Sequence, residues 1–135
     1  MPARLQTPNK ADFETVFSKL RAILEPYASK LVVVTDDPST YYLDTRHIMK
    51  NKKPLFFGAV RKGKAYVSFH LIPVYACPDL LESISPKLNK RMQGKSCFNF
   101  TQVDEKLFKE LAKLTKAGFA RFNDEKFVAA MLRLQ

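Results

Sequence analysis

The residues of this chain that can do chemistry are two histidines, two cysteines and an uneven run of lysines and arginines. His70 ends a strand-like run that also holds Tyr66, with Tyr75 and Cys77 shortly after it. An imidazole beside a phenol and a thiol can relay a proton or border a small-molecule pocket. One imidazole and one thiol with no adjacent carboxylate do not make a metal ligand set. The reading adopted for His70 is therefore an ordinary hydrogen-bonded histidine. A pocket or enzyme built around Tyr66, His70 and Tyr75 is the alternative. His47, between Arg46 and Lys50, reads as a surface residue. Cys77 and Cys97 follow neither metal nor disulfide spacing and read as small apolar fillers.

The charge carries more information than the histidines. The formal net charge is +10, and the stretch from Arg46 to Lys95 alone holds eleven Lys or Arg against Asp79 and Glu82. Such a surplus concentrates phosphate-bearing or carboxylate-bearing partners near it. Two loops dominate the stretch: the hairpin Arg61-Lys62-Gly63-Lys64, and the turn containing Lys90, Arg91 and Lys95 around Gly94. Arginine supplies a planar donor fork and lysine a point charge, a combination suited to phosphate or carboxylate. Nucleic acid is one such partner, with Lys50–Lys53 and the hairpin gripping phosphates. Base stacking would need reachable aromatics, and Phe56, Phe57, Tyr66 and Phe69 read as sheet core instead. Asp36, Asp37 and Asp44 offer oxygen ligands for a hard cation, but Asp36 and Asp37 are what a turn before Pro38 uses, and the turn is the stronger reading.

No catalytic signature is present. The chain has no nucleophile elbow and no paired histidines on a helix face, and four glycines leave no room for a phosphate-cradling loop. No catalytic residue, metal ligand or cofactor is assigned. A length of 135 residues fits one domain with its own core. No apolar run approaches the roughly 20 residues that span a bilayer, and Met1–Lys10 lacks the apolar stretch of a secretory signal. A cytoplasmic location without a membrane partner follows as the expectation.

The elements that must position these residues read as α+β. After a loose leader over residues 1–9, Phe13, Val16, Phe17, Leu20 and Leu24 recur at helical spacing, with Asn9 as N-cap and Pro26 as terminator. Five strands follow: Leu31–Thr35, Thr40–Asp44, Leu55–Arg61, Ala65–His70 and Ser96–Phe100. The absence of crossover helices among the first four predicts an antiparallel sheet. Short helical pieces are expected over Asp79–Ile84 and Pro86–Arg91. A long helix is expected over Asp104–Ala117, capped by Thr101 and closed by Gly118, and a terminal helix over Asp124–Leu134. The whole is one domain, residues 1–135: a sheet of about five strands flanked by an N-terminal helix and C-terminal helices.

The run Phe57-Gly58-Ala59-Val60-Arg61-Lys62-Gly63-Lys64-Ala65-Tyr66-Val67-Ser68-Phe69-His70, with Asp79-Leu80-Leu81-Glu82, the basic turn and the long helix after it, resembles the YdhG-like family of bacterial domains of unknown function. The resemblance covers roughly residues 31–120. It implies a compact α+β domain with an antiparallel sheet, and, because some members are described as frataxin-like iron chaperones, an iron-handling role as an alternative. The family's Gly-x-Gly-Lys after Leu-Leu-Glu is replaced here by Ser83-Ile84-Ser85-Pro86-Lys87, and Arg91-Met92 and Gly94-Lys95 echo it loosely. The Gly-Lys hairpin and late helix also resemble double-wing domains of the YjbR type, often labelled DNA-binding. Neither resemblance supplies catalytic residues. The expected function is a non-enzymatic binding module for an anionic ligand or partner, held by Arg61, Lys62, Lys64, Lys90, Arg91 and Lys95.

Overall fold

Helical periodicity at one end and β-branched or aromatic alternation in the middle produce an α+β fold. The computed structural model describes residues 10–132. Helix α1 (Lys10–Leu24) leads into a 3-10 turn (Glu25–Lys30). Strands β1 (Val32–Asp37), β2 (Thr40–Ile48), β3 (Pro54–Lys62) and β4 (Val67–Leu71) follow. Helix α2 (Ile72–Ala76), a 3-10 turn (Pro78–Ser83) and α3 (Pro86–Asn89) connect to β5 (Met92–Gln93) and β6 (Cys97–Phe100). Helices α4 (Glu105–Phe122) and α5 (Glu125–Leu132) complete the order. The six strands form one sheet in the order β1-β2-β3-β4-β6-β5, every pairing antiparallel.

All five expected strands are present, with small shifts at their ends, and β5 is a two-residue addition at one edge. Asp37 explains the first turn: its carboxylate accepts from the backbone N–H groups of Ser39 (2.9 Å) and Thr40 (2.8 Å). Asp36 stays in the strand and pairs with Arg21. The expected helix α1 packs Phe13, Val16, Phe17, Leu20 and Leu24 into the core. The leader, Asn9 and the last residues of the expected terminal helix lie outside the described residues.

Two expectations about α4 are corrected. Asp104, not Thr101, is its N-cap, accepting from the Leu107 N–H at 3.1 Å. Gly118 does not close the helix but lies inside it, because a Cβ there would stand 2.8 Å from Cβ of Pro73. The glycine is required by the close approach of α2, and the helix continues four residues to Phe122. That extension brings Phe119 and Phe122 against Phe57, with ring centroids 5.9 and 6.3 Å apart. The helices α1, α2 and α4 pack against one face of the sheet, where Leu43, Phe57, Val60, Phe69, Leu71 and Phe98 point inward and are fully buried or nearly so.

Edge strand β1 is irregular. Its register with β2 shifts between Val33 and Thr35, placing Val34 in a bulge, and Val32, Val33 and Val34 are all exposed.

Replacing Gly118 with alanine should destabilise the protein by about 1–3 kcal/mol, although alanine is the better helix former, because overpacking against Pro73 outweighs propensity. Urea unfolding checks this: a midpoint equal to or above that of the wild type contradicts the assigned role.

Candidate functional site

Cross-strand pairing turns residues distant in sequence into rows. On the face opposite the helices, Thr35, Tyr42, Ala59, His70, Cys97 and Gln93 stand side by side, one from each strand. A second row, Asp37, Thr40, Arg61, Ser68 and Asn99, runs next to it. Strands lie about 4.8 Å apart, so each row is a continuous band of side chains. Two open concavities lie on this face. One, of about 430 Å³, is bordered by Thr35, Thr40, Tyr42, Phe56, Ala59, Arg61 and His70. The other, of about 460 Å³, is bordered by Arg61, Lys64, Tyr66, Ser68, His70, Gln93, Cys97 and Asn99. They share Arg61 and His70, and no helix residue borders either.

At the shared centre the polar groups are mutually satisfied. The Ser68 hydroxyl donates to the Arg61 carbonyl at 3.4 Å, and His70 Nε2 lies 3.0 Å from Ser68 Oγ. With the hydroxyl hydrogen so used, the imidazole is assigned as the Nε2–H tautomer donating to Ser68. Cys97 Sγ donates to Asn99 Oδ1 at 3.3 Å and sits 4.0 Å from His70 Nε2. Burial, with the nearby Arg61 charge, holds the His70 pKa below its ordinary 6.5. Burial also raises the Cys97 thiol, so both groups are neutral near pH 7. In this hydrogen-bond pattern Ser68 has no base and Cys97 no thiolate. What the centre offers a ligand is donors, ring faces and the Arg61 guanidinium.

Among the described residues Arg61 and Lys64 have no carboxylate partner; the ion pairs there belong to Lys19, Arg21 and Arg121. The tight hairpin, closed by the Gly63 N–H donating to the Tyr66 carbonyl at 2.9 Å, holds Lys64 and Tyr66 at the rim. Across the aromatic end, Tyr42 and Phe56 stack with ring centroids 4.7 Å apart. Asp44 pairs with Phe56 beyond them, and burial raises its pKa.

The basic residues singled out from the sequence are divided. Arg61 and Lys64 border the open sheet face, whereas Lys62 lines a separate hollow with Arg21, Asp36 and Asp37. Lys90 and Arg91 border another concavity, of about 290 Å³, with Lys87, Phe100 and Asp104. Lys95 lies 5.9 Å from the Tyr75 ring, after the turn in which Gly94 adopts φ 77°. Tyr66 and His70 therefore share a concavity, and Tyr75, 57% exposed on α2, does not line it. Of the four aromatics read as core, Phe57 and Phe69 are fully buried, but Phe56 and Tyr66 are on the open face. Strand alternation puts Phe56 opposite to Phe57, and Tyr66 falls in the hairpin before β4 begins. Cys77 is buried, as a filler requires; Cys97 is instead a member of the polar row.

Asp36, Asp37, Asp44 and His70 are not gathered: Asp36 binds Arg21, Asp37 caps its turn, and Asp44 and His70 stand two strands apart. Among the described residues no three His, Cys, Asp or Glu side chains are grouped to hold a metal ion. No helix there is long and apolar enough to cross a membrane. Tyr42, Ser68, Gln93 and Asn99 are not singled out by sequence, and Phe56 and Cys97 are read there as core and filler. Alternation within β4 and β6 pairs Ser68 with His70 and Cys97 with Asn99 on common faces, but the register joining the strands is visible only in the fold. No family model, curated protein or solved structure matches the chain.

The depressed His70 pKa has a measurable consequence. Between its folded pKa and 6.5 the unfolded chain binds more protons at this position, so stability falls as pH drops through that window. Replacing His70 with glutamine should flatten this part of the stability–pH curve, measured by chemical unfolding between pH 7.5 and 5. An unchanged slope would show that His70 is not the responsible group.

Proposed function

We propose that this protein is a binding module that receives an anionic ligand on the open face of its sheet. The observation that carries the reading is the Arg61 guanidinium: it has no carboxylate partner among the described residues, borders both concavities, and stands beside Lys64 and the polar row. An arginine fork without a partner at the head of a concavity binds phosphate or carboxylate through paired, charge-assisted hydrogen bonds. The Asn99 and Gln93 side-chain amides add donors without adding charge. The resemblance to the YdhG-like family is compatible with a binding role and supplies no residue to it. The hydrogen-bond pattern around Ser68 and Cys97 favours binding over nucleophilic chemistry.

Titration of the protein with pyrophosphate and with citrate, followed by backbone amide NMR, tests the reading. The expected result is saturable shifts confined to residues 61–70 and 93–99, weakened at least about fivefold by Arg61→Gln and by raising the salt from 20 to 200 mM. Shifts centred on Lys87–Arg91 instead, or none at low salt, would sink it.

A further inference from the structure

The open face is more than a basic patch, because its two concavities differ in character and meet at a cation. In the first, Ala59 lies between Tyr42 and His70, its direct neighbours on the flanking strands. Two strand spacings put those two residues roughly 10 Å apart at the backbone. Ala59 itself is only 4% exposed, so the ground between them is already covered, and the ring surface this hollow offers is the stacked pair of Tyr42 and Phe56. Phe56 closes one end of this hollow and Arg61 the other. The second concavity lies on the far side of Arg61, where Tyr66 (43% exposed) gives it an accessible ring at the rim. Gln93 and Asn99 line it with amides that can both donate and accept, and Lys64 adds a second cation.

The order along the face is thus stacked ring pair, guanidinium, then ring with hydrogen-bonding amides and ammonium. That is the order of base, phosphate, base in a nucleic acid strand. A duplex stacks its bases inside and cannot present them to a sheet, whereas an unpaired strand can lay successive bases on aromatics across an antiparallel sheet. Resting on the anion-binding reading above, we infer that the occupant is single-stranded nucleic acid, held across the sheet with a phosphate at Arg61 and neighbouring bases on its two sides. Charge complementarity favours an anionic occupant. Lys64 and Arg61 lie toward the β3–β4 hairpin, while Asp44, beside Phe56, and the turn bearing Lys50, Lys52 and Lys53 lie toward the other end of β3. A single nucleotide would occupy one hollow; a strand occupies both.

Fluorescence anisotropy with labelled octamers of dT and rU, at 50 mM salt, reads the contact directly, with thymidine monophosphate and a 16-base-pair duplex as competitors. The octamers should bind, with the monophosphate and the duplex each at least about tenfold weaker. Arg61→Gln should lower octamer affinity at least about tenfold and reduce the slope of log affinity against log salt by about 0.7, the contribution of one phosphate on a single strand. Tyr66→Ala and Tyr42→Leu should each cost at least about fivefold, the lower bound for one stacked base. The double variant Lys90→Ala, Arg91→Ala removes twice as much charge, from a different concavity, and should change affinity by less than about twofold. Circular dichroism and the wild-type urea midpoint establish that each variant is folded, and Tyr66, on the hairpin, can be tested without touching the core. Equal binding of duplex and octamer, or equal loss from the Lys90/Arg91 variant, overturns the inference. So does octamer affinity no better than that of the monophosphate. If pyrophosphate still shifts residues 61–70 while octamers do not bind, the anion-binding reading survives and the strand does not; if neither binds, both fall.

Discussion

Phe57 sits under the middle of the sheet with Tyr27, Phe119 and Phe122 around its ring, and the arrangement of the molecule follows from having that contact on one side only. A sheet must bury at least one face to repay the entropy of ordering its strands. Here α1, α2 and α4 supply cover to the face bearing Phe57, Phe69 and Phe98. Removing such a ring from a core costs about 3–5 kcal/mol, a large share of the net stability of a small domain. The opposite face repays nothing of that kind. Its side chains are selected by alternation to tolerate water, and they are consequently available to something other than the protein itself.

This division explains why the polar row can be both orderly and open. Ser68, His70, Cys97 and Asn99 are tied to one another and to the Arg61 carbonyl, so their geometry is set before any ligand arrives. Buried polar groups left unpaired are costly, and among the described residues no buried side-chain nitrogen or oxygen lacks a partner. Arg61 extends from a strand whose position is fixed on both sides by β2 and β4. A cation mounted on such a scaffold loses less freedom on binding than one on a loop, which is the general advantage of preorganisation.

The strands and long helices were legible because each carries its own period: two for Ser96–Phe100, 3.6 for Leu107, Phe108, Leu111 and Leu114. The N-cap of α4 was misplaced by three residues, since both Thr101 and Asp104 are good caps and only the backbone decides between them. Gly118 was misread because a glycine needed for close packing and one needed to end a helix look alike in sequence. The candidate site was legible only in fragments. Arg61, Lys64, Tyr66 and His70 could be named from the hairpin, but Lys62 and Lys90–Lys95 could not be separated from them without knowing which face each strand presents. Tyr42 and Phe56 could not be enlisted at all. Their membership depends on register between β2, β3 and β4, and a one-residue slip would have sent them to the core.

The approach of Gly118 to Pro73 has a further effect on the far side of the molecule. The chain between β4 and β6 has two possible routes, under the sheet among the helices or over its other surface. With a hydrogen atom where other residues carry a methyl group, α4 lets the first turn of that connection nestle against it, and the connection is drawn beneath. Val74 and Leu88 of the same connection are buried in the core as well, so the longest stretch of chain between neighbouring strands does not lie across Arg61 and His70. An absent side chain on one surface thereby helps to leave the other uncovered.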